Sequence, residues 1–145
     1  KGIRSNINII VGSKRIQKKI KNDNITIQKE VLHYGEMLSI LKSASYILDF
    51  ENAEQNGLTF RVFESLYFEK KLITNNKLIL EYDFYHPDNI FVWDENNIED
   101  LREFLRRPYQ KIEDNIVKKY SFTNWIKNII DDMPYIKIQD PQKDN

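Results

Sequence analysis

Tyr46-Ile47-Leu48-Asp49-Phe50-Glu51-Asn52-Ala53-Glu54-Gln55-Asn56-Gly57-Leu58-Thr59-Phe60-Arg61-Val62-Phe63-Glu64-Ser65-Leu66-Tyr67, followed shortly by Leu72-Ile73-Thr74, is the stretch on which the fold turns. Its first residues are a short run of strand formers ending at Asp49, and its last are another. Between them Gly57 permits a tight turn and Thr59 is suited to cap a helix over 59–69. Strand, helix and strand at this spacing predict a parallel pair with a crossover.

The same alternation extends both ways. Strands are expected near 7–11, 25–28, 46–49, 71–75 and 90–93, and helices near 14–21, 34–43, 59–69, 98–105, 112–119 and 122–130. The fold class is therefore α/β, a doubly wound parallel sheet with helices on both faces. Ligands of such sheets bind beyond the carboxyl ends of the strands. The polar tail from 134 to 145 is expected to fray.

Composition narrows the function. Lys plus Arg equals Asp plus Glu at 22 each, which argues against a partner held by bulk phosphate attraction, so no nucleic acid is expected. Cysteine is absent, so neither disulfides nor thiolate metal sites are available. His33 and His86 stand apart without the partners of a zinc site, and no metal is expected. No apolar run approaches the ~20 residues of a membrane span. Asp83 and Asp88 read as turn residues, and Trp93 and Trp125 as packing residues rather than sugar platforms. No nucleophile elbow is present.

On the helix of the opening stretch, Phe60, Val62, Phe63, Leu66 and Tyr67 occupy most of the circumference. Arg61, Glu64 and Ser65 share one polar stripe, expected to face a cleft while Phe60, Phe63, Leu66 and Tyr67 face the core. The plainer alternative is an Arg61–Glu64 ion pair on an exposed edge. After the first strand, the Gly12-Ser13-Lys14 loop offers backbone N–H groups and an ammonium to a phosphate. Against this, Arg15, Lys18, Lys19 and Lys21 make a solvated basic helix an equally simple explanation.

The block from Gln55 to Leu66, followed by Lys70-Lys71-Leu72-Ile73-Thr74-Asn75-Asn76, resembles the donor-site signature of GT-B glycosyltransferases, closest to those of lipopolysaccharide and capsule assembly. Ile9-Ile10-Val11-Gly12-Ser13, Val31-Leu32-His33-Tyr34 and Tyr120-Ser121-Phe122-Thr123-Asn124-Trp125 are similar to its flanking segments. The resemblance implies a Rossmann-like domain over 1–133, the C-terminal half of a two-domain enzyme, with a tail over 134–145. It implies donor binding by Gly12, Ser13, Lys14, Leu32, His33, Gly57, Leu58, Thr59, Arg61 and Glu64. Glu64 would accept from the ribose hydroxyls, and Gly57, Leu58 and Thr59 would approach the diphosphate.

The implied reaction is transfer of a sugar from a nucleotide-diphosphate sugar to a glycan or lipid-linked acceptor. The acceptor site and catalytic base are expected in a preceding domain, so this chain alone is expected to be inactive. The resemblance implies no cofactor, a cytoplasmic location extending to the inner face of the membrane, and a homodimer as one assembly open to the chain. Retaining members carry a second Glu where this chain has Asn56, so the stereochemistry stays open. Two other classes fit the alternation: a non-catalytic nucleotide-binding module with a flavodoxin-like fold, and a protein-interaction domain using the Phe60/Phe63/Tyr67 face.

Overall fold

The computed structural model describes residues 7–10, 25–28, 32–51, 57–94 and 96–138. The chain divides into two compact units, Lys1–Ile40 and Leu41–Asn145. In the first, β1 (Ile7–Ile10) and β2 (Ile25–Gln28) pair in parallel, with Ile7 opposite Ile25 and Ile10 opposite Gln28. Helix α1 (Tyr34–Ser43) spans the boundary in sequence. Glu36, in its first turn, accepts from the His33 N–H at 3.2 Å, which is half of a capping box.

The second unit is an α/β layer structure. Strands β3 (Tyr46–Asp49), β4 (Lys71–Thr74) and β5 (Ile90–Val92) form one parallel sheet in the order β3-β4-β5. All four residues of the central β4 are buried, as a strand covered on both faces requires.

The register separates the two faces. Ile47, Leu72 and Ile90 share one row, and Asp49, Thr74 and Val92 another row on the same face, which meets α2 (Phe60–Tyr67) through the bond between Asp49 and Thr59. Tyr46, Lys71, Ile73 and Phe91 point the other way, toward α3 (Ile98–Arg106). There the Tyr46 hydroxyl donates to the Leu105 carbonyl at 2.8 Å, and the Phe91 and Phe104 rings meet at 5.3 Å.

Lys71 is a buried cation inside this layer. Its ammonium donates to the carbonyls of Phe104 and Arg107 at the end of α3, the pole that attracts positive charge, and lies 4.0 Å from the centre of the Phe104 ring. Burial still lowers its pKa, against the pull of Asp88 and with the push of Arg107.

A 3-10 helix (Lys77–Glu81) leads into an aromatic cluster. Phe84 is fully buried and sits 6.3 Å from Phe63, 5.2 Å from Tyr82 and 4.8 Å from Tyr120. Beside it, Asp83 accepts from Lys119 at 2.8 Å and from the Tyr120 hydroxyl at 2.7 Å. Asp83 thus ties the loop before β5 to the end of α4 (Asp114–Lys119), a larger part than a turn residue plays.

Helix α5 (Phe122–Ile130) begins at Ser121, whose hydroxyl accepts from the Asn124 N–H at 3.2 Å, and ends at Asp131 in the left-handed region with φ 54°. The segment expected to fray from 134 is held as far as Ile138. The Asn124 side chain donates to the Ile136 carbonyl and accepts from its N–H, at 2.7 and 2.8 Å, and Asn128 accepts from the Ile138 N–H at 3.2 Å. Trp125, expected to pack, instead lies exposed against Phe122 at 5.7 Å.

Candidate ligand site at the carboxyl edge of the sheet

Asp49, Thr74 and Val92 end their strands side by side. The chain leaves β3, turns back through Gly57 at φ 94° and enters α2 at Thr59. Any side chain at Gly57 would be strained by that φ, although space is open around it. The Thr59 hydroxyl has two bonds. It accepts from the Arg61 N–H at 3.1 Å, as an N-cap does, and donates to the buried Asp49 carboxylate at 2.8 Å. The end of β3 thereby fixes the start of α2.

Two asparagines after β4 lock the same corner. Asn75 accepts from the Glu51 N–H at 2.9 Å and donates to the Glu51 carbonyl at 3.1 Å. The buried Asn76 side chain donates to the Glu51 carboxylate at 2.7 Å and the Gly57 carbonyl at 2.9 Å, while accepting from the Leu78 N–H at 2.9 Å. The helix start is therefore positioned at the carboxyl edge by both β3 and β4. In the sequence, Asn75 and Asn76 stand out only as part of the resemblance. Two amides directly after a strand that ends beside Gly57 were the available signal.

The faces of α2 differ from expectation. Val62, Ser65 and Leu66 are buried, whereas Phe60 is 71% and Tyr67 66% exposed. Val62 and Leu66, four residues apart, seat the helix, and Ser65 lies on that arc rather than on the cleft stripe. Its hydroxyl donates to the Val62 carbonyl at 2.6 Å, so burying it leaves no unpaired donor. Phe60 and Tyr67, seven apart, stand opposite the sheet. Phe63 does face inward, into the aromatic cluster.

Arg61 and Glu64 remain together on one flank. The guanidinium meets Glu64 Oε2 at 2.5 Å, with the side chains 35% and 14% exposed. The ion pair weighed as the plainer alternative thus exists, but with its carboxylate largely covered rather than on an open edge. Glu64 Oε1 takes no hydrogen bond among the described residues.

Compared with family models, curated proteins and solved structures, the chain matches none. What the site can do follows from its own chemistry.

A carboxylate held by a guanidinium on one oxygen can accept from a hydroxyl on the other. A helix start can stabilise an anion. Asp49 already places negative charge beside Thr59, however, so an incoming anion would meet the first turn from the side away from Asp49. Leu58 is half-buried beside Thr59. Leu32 is half-buried, and His33 is exposed at the start of α1; both belong to the first unit. Gly12, Ser13 and Lys14 lie outside the described residues, as does the expected helix over 14–21. Among the described residues no three His, Asp or Glu side chains converge as a metal site would need, and no helix is long and apolar enough to cross a membrane.

A cavity of about 170 Å³ lies elsewhere, at the far end of α2, lined by Leu66, Tyr67, Tyr109, Ile112 and Val117 among others. Burial, with the Glu69 charge adding to it, pushes the Tyr109 hydroxyl up to about 12. Most of the residues facing this cavity are apolar or aromatic, and it is remote from the strand ends that carry the polar network.

Proposed function

We propose that this chain is the nucleotide-sugar-binding domain of a GT-B glycosyltransferase that extends a cell-surface glycan such as lipopolysaccharide or capsule. In this reading both units belong to one doubly wound, Rossmann-like domain. The observation that carries it is the placement of α2. A helix bearing a largely covered carboxylate starts at the carboxyl edge of a parallel sheet, pinned there by Asp49 and Asn76.

Glu64 then accepts from the vicinal ribose hydroxyls, with Arg61 orienting it. The turn through Gly57, Leu58 and Thr59 brings backbone N–H groups to the donor diphosphate, and the resemblance adds Gly12, Ser13 and Lys14 to the residues that bind it. Transfer breaks the bond between the anomeric carbon and the diphosphate oxygen. The helix start, Lys14 and Arg61 stabilise the departing charge. The acceptor and the base that deprotonates it belong to a second domain, acting in the cytoplasm or at the inner membrane face.

A thermal-shift panel of UDP, GDP, dTDP and CDP tests this. One base type is expected to raise the melting temperature, and Glu64→Ala to abolish the rise. The exposed Phe60 and Tyr67 favour the second reading, a protein-interaction domain. That reading predicts no nucleotide effect and a mass that rises with concentration in sedimentation.

A further inference from the structure

Helix α5 turns its polar side to the protein and its apolar side to solvent. Asn124 is buried and Asn128 half-buried, four residues apart, and their side chains bond the returning chain at Ile136 and Ile138. Away from them, Phe122, Trp125 and Ile129 recur at i, i+3 and i+7, with Phe122 67% and Ile129 61% exposed, and Ile130 is exposed beside them. An amphipathic helix on a monomer does the reverse, and a contiguous apolar stripe left outside marks a contact surface.

The two ends of this stripe carry opposite charges. Asp131 and Asp132, both exposed, follow its last turn, at the helix pole that disfavours acids. At the other end stands the exposed Lys118, whose carbonyl accepts from the N–H and the hydroxyl of the N-cap Ser121 at 3.1 and 2.8 Å. The neighbouring Lys119 is already committed to Asp83.

We propose that α5 is the interface of a two-fold homodimer, in which two copies of the helix pack antiparallel along the Phe122, Trp125 and Ile129 stripe. Antiparallel packing sets Phe122 of each copy near Ile129 of the other, with Trp125 close to the axis. It brings Lys118 of each to Asp131 and Asp132 of the other, and so offsets the acids at the helix pole. A stripe that complements itself when reversed is what a two-fold interface requires. A membrane is the poorer occupant, because an anionic surface repels Asp131 and Asp132, and helices that lie on one carry basic flanks. The nine residues of α5 span only about 13 Å, which puts the interface at the small end of the range and its dissociation constant on the order of 10–100 μM. The dimer is independent of the nucleotide-sugar reading.

Sedimentation equilibrium of the full chain from about 2 to about 500 μM tests this, a range that brackets the expected constant. The mass is expected to rise from monomer to dimer and stop there, and Trp125 emission in the Trp93→Phe chain should shift to the blue over the same range. Ile129→Glu, at an exposed position, should remain monomeric with an unchanged urea midpoint, whereas Phe60→Glu should dimerise like the parent. Lys118→Glu and Asp132→Lys should each weaken dimerisation by about five- to tenfold, and a mixture of the two should regain the parent affinity, since each restores the other's charge pair. A chain monomeric throughout overturns the proposal. So does association lost in Phe60→Glu but kept in Ile129→Glu, which would assign it to α2. A monomer that sediments with phosphatidylcholine–phosphatidylglycerol vesicles through Ile129 would make the stripe a membrane face and equally overturn it.

Discussion

Asn75, Asn89 and Asn124 do the same job in contrasting places. Each side chain donates to the carbonyl and accepts from the N–H of one distant residue, as a β-bridge would. Asn89 clasps Gln110 with both bonds at 2.7 Å, and Asn124 clasps Ile136 while also donating to the Lys119 carbonyl at 2.7 Å. Both are buried. Asn75 clasps Glu51 in the open, at the carboxyl edge. The buried clasps replace strand pairing where irregular chain must be held, and they satisfy backbone groups that are partly shielded from water. The exposed clasp holds groups that water could satisfy, so its value lies in fixing the corner where the chain leaves β3 beside the end of β4.

That contrast predicts an order of effects. Asn124→Ala removes three bonds from a buried side chain to partly shielded backbone and is expected to destabilise by about 2–4 kcal/mol, read from urea midpoints. Asn89→Ala removes two and should fall somewhat lower. Asn75→Ala should cost less than about 1 kcal/mol, because solvent replaces its bonds. An Asn75 variant as damaging as Asn124→Ala would erase the distinction between architecture and site.

Acid sensitivity sharpens the comparison further. Burial opposes the Asp83 charge, but the hydrogen bonds from Lys119 and Tyr120, with the Lys119 charge, hold its pKa below the ordinary 3.8. A carboxylate lowered in the folded state adds stability above its unfolded pKa, and loses it as pH falls through the folded value. Urea midpoints measured from pH 6 to pH 2 should therefore fall less steeply below about pH 4 for Asp83→Asn than for the parent chain. Equal slopes would show that Asp83 contributes nothing through its charge.

Much of the second unit was legible in the sequence. The β-branched runs and the Gly57–Thr59 helix start place β3, α2, β4 and β5 within a residue or two of where they stand, since short apolar runs bounded by turn residues leave strong local signals. Helix α4 starts two residues later than expected, at Asp114. The orientation of α2 was not legible. Counting Phe60 and Tyr67 as core residues treats every aromatic as buried, whereas the aliphatic pair Val62 and Leu66 decides which arc meets the sheet, and a self-bonding serine can join them. The asparagine clasps and the Lys71 cap of α3 were hidden for another reason. Each joins residues distant in sequence, and a polar side chain in a strand or loop reads as exposed until its partner is known.

The most direct test of the donor-site account is calorimetric titration of the stabilising nucleoside diphosphate against the parent chain, Glu64→Ala and Glu64→Gln. Removing a charge-assisted acceptor of ribose hydroxyls is expected to weaken binding by roughly 1.5–3 kcal/mol, one to two decades in affinity. Glu64→Gln should lose less, because its amide oxygen still accepts. Unchanged binding by Glu64→Ala, with the fold intact by circular dichroism, would contradict the account and leave Glu64 as the ion-pair partner of Arg61 alone.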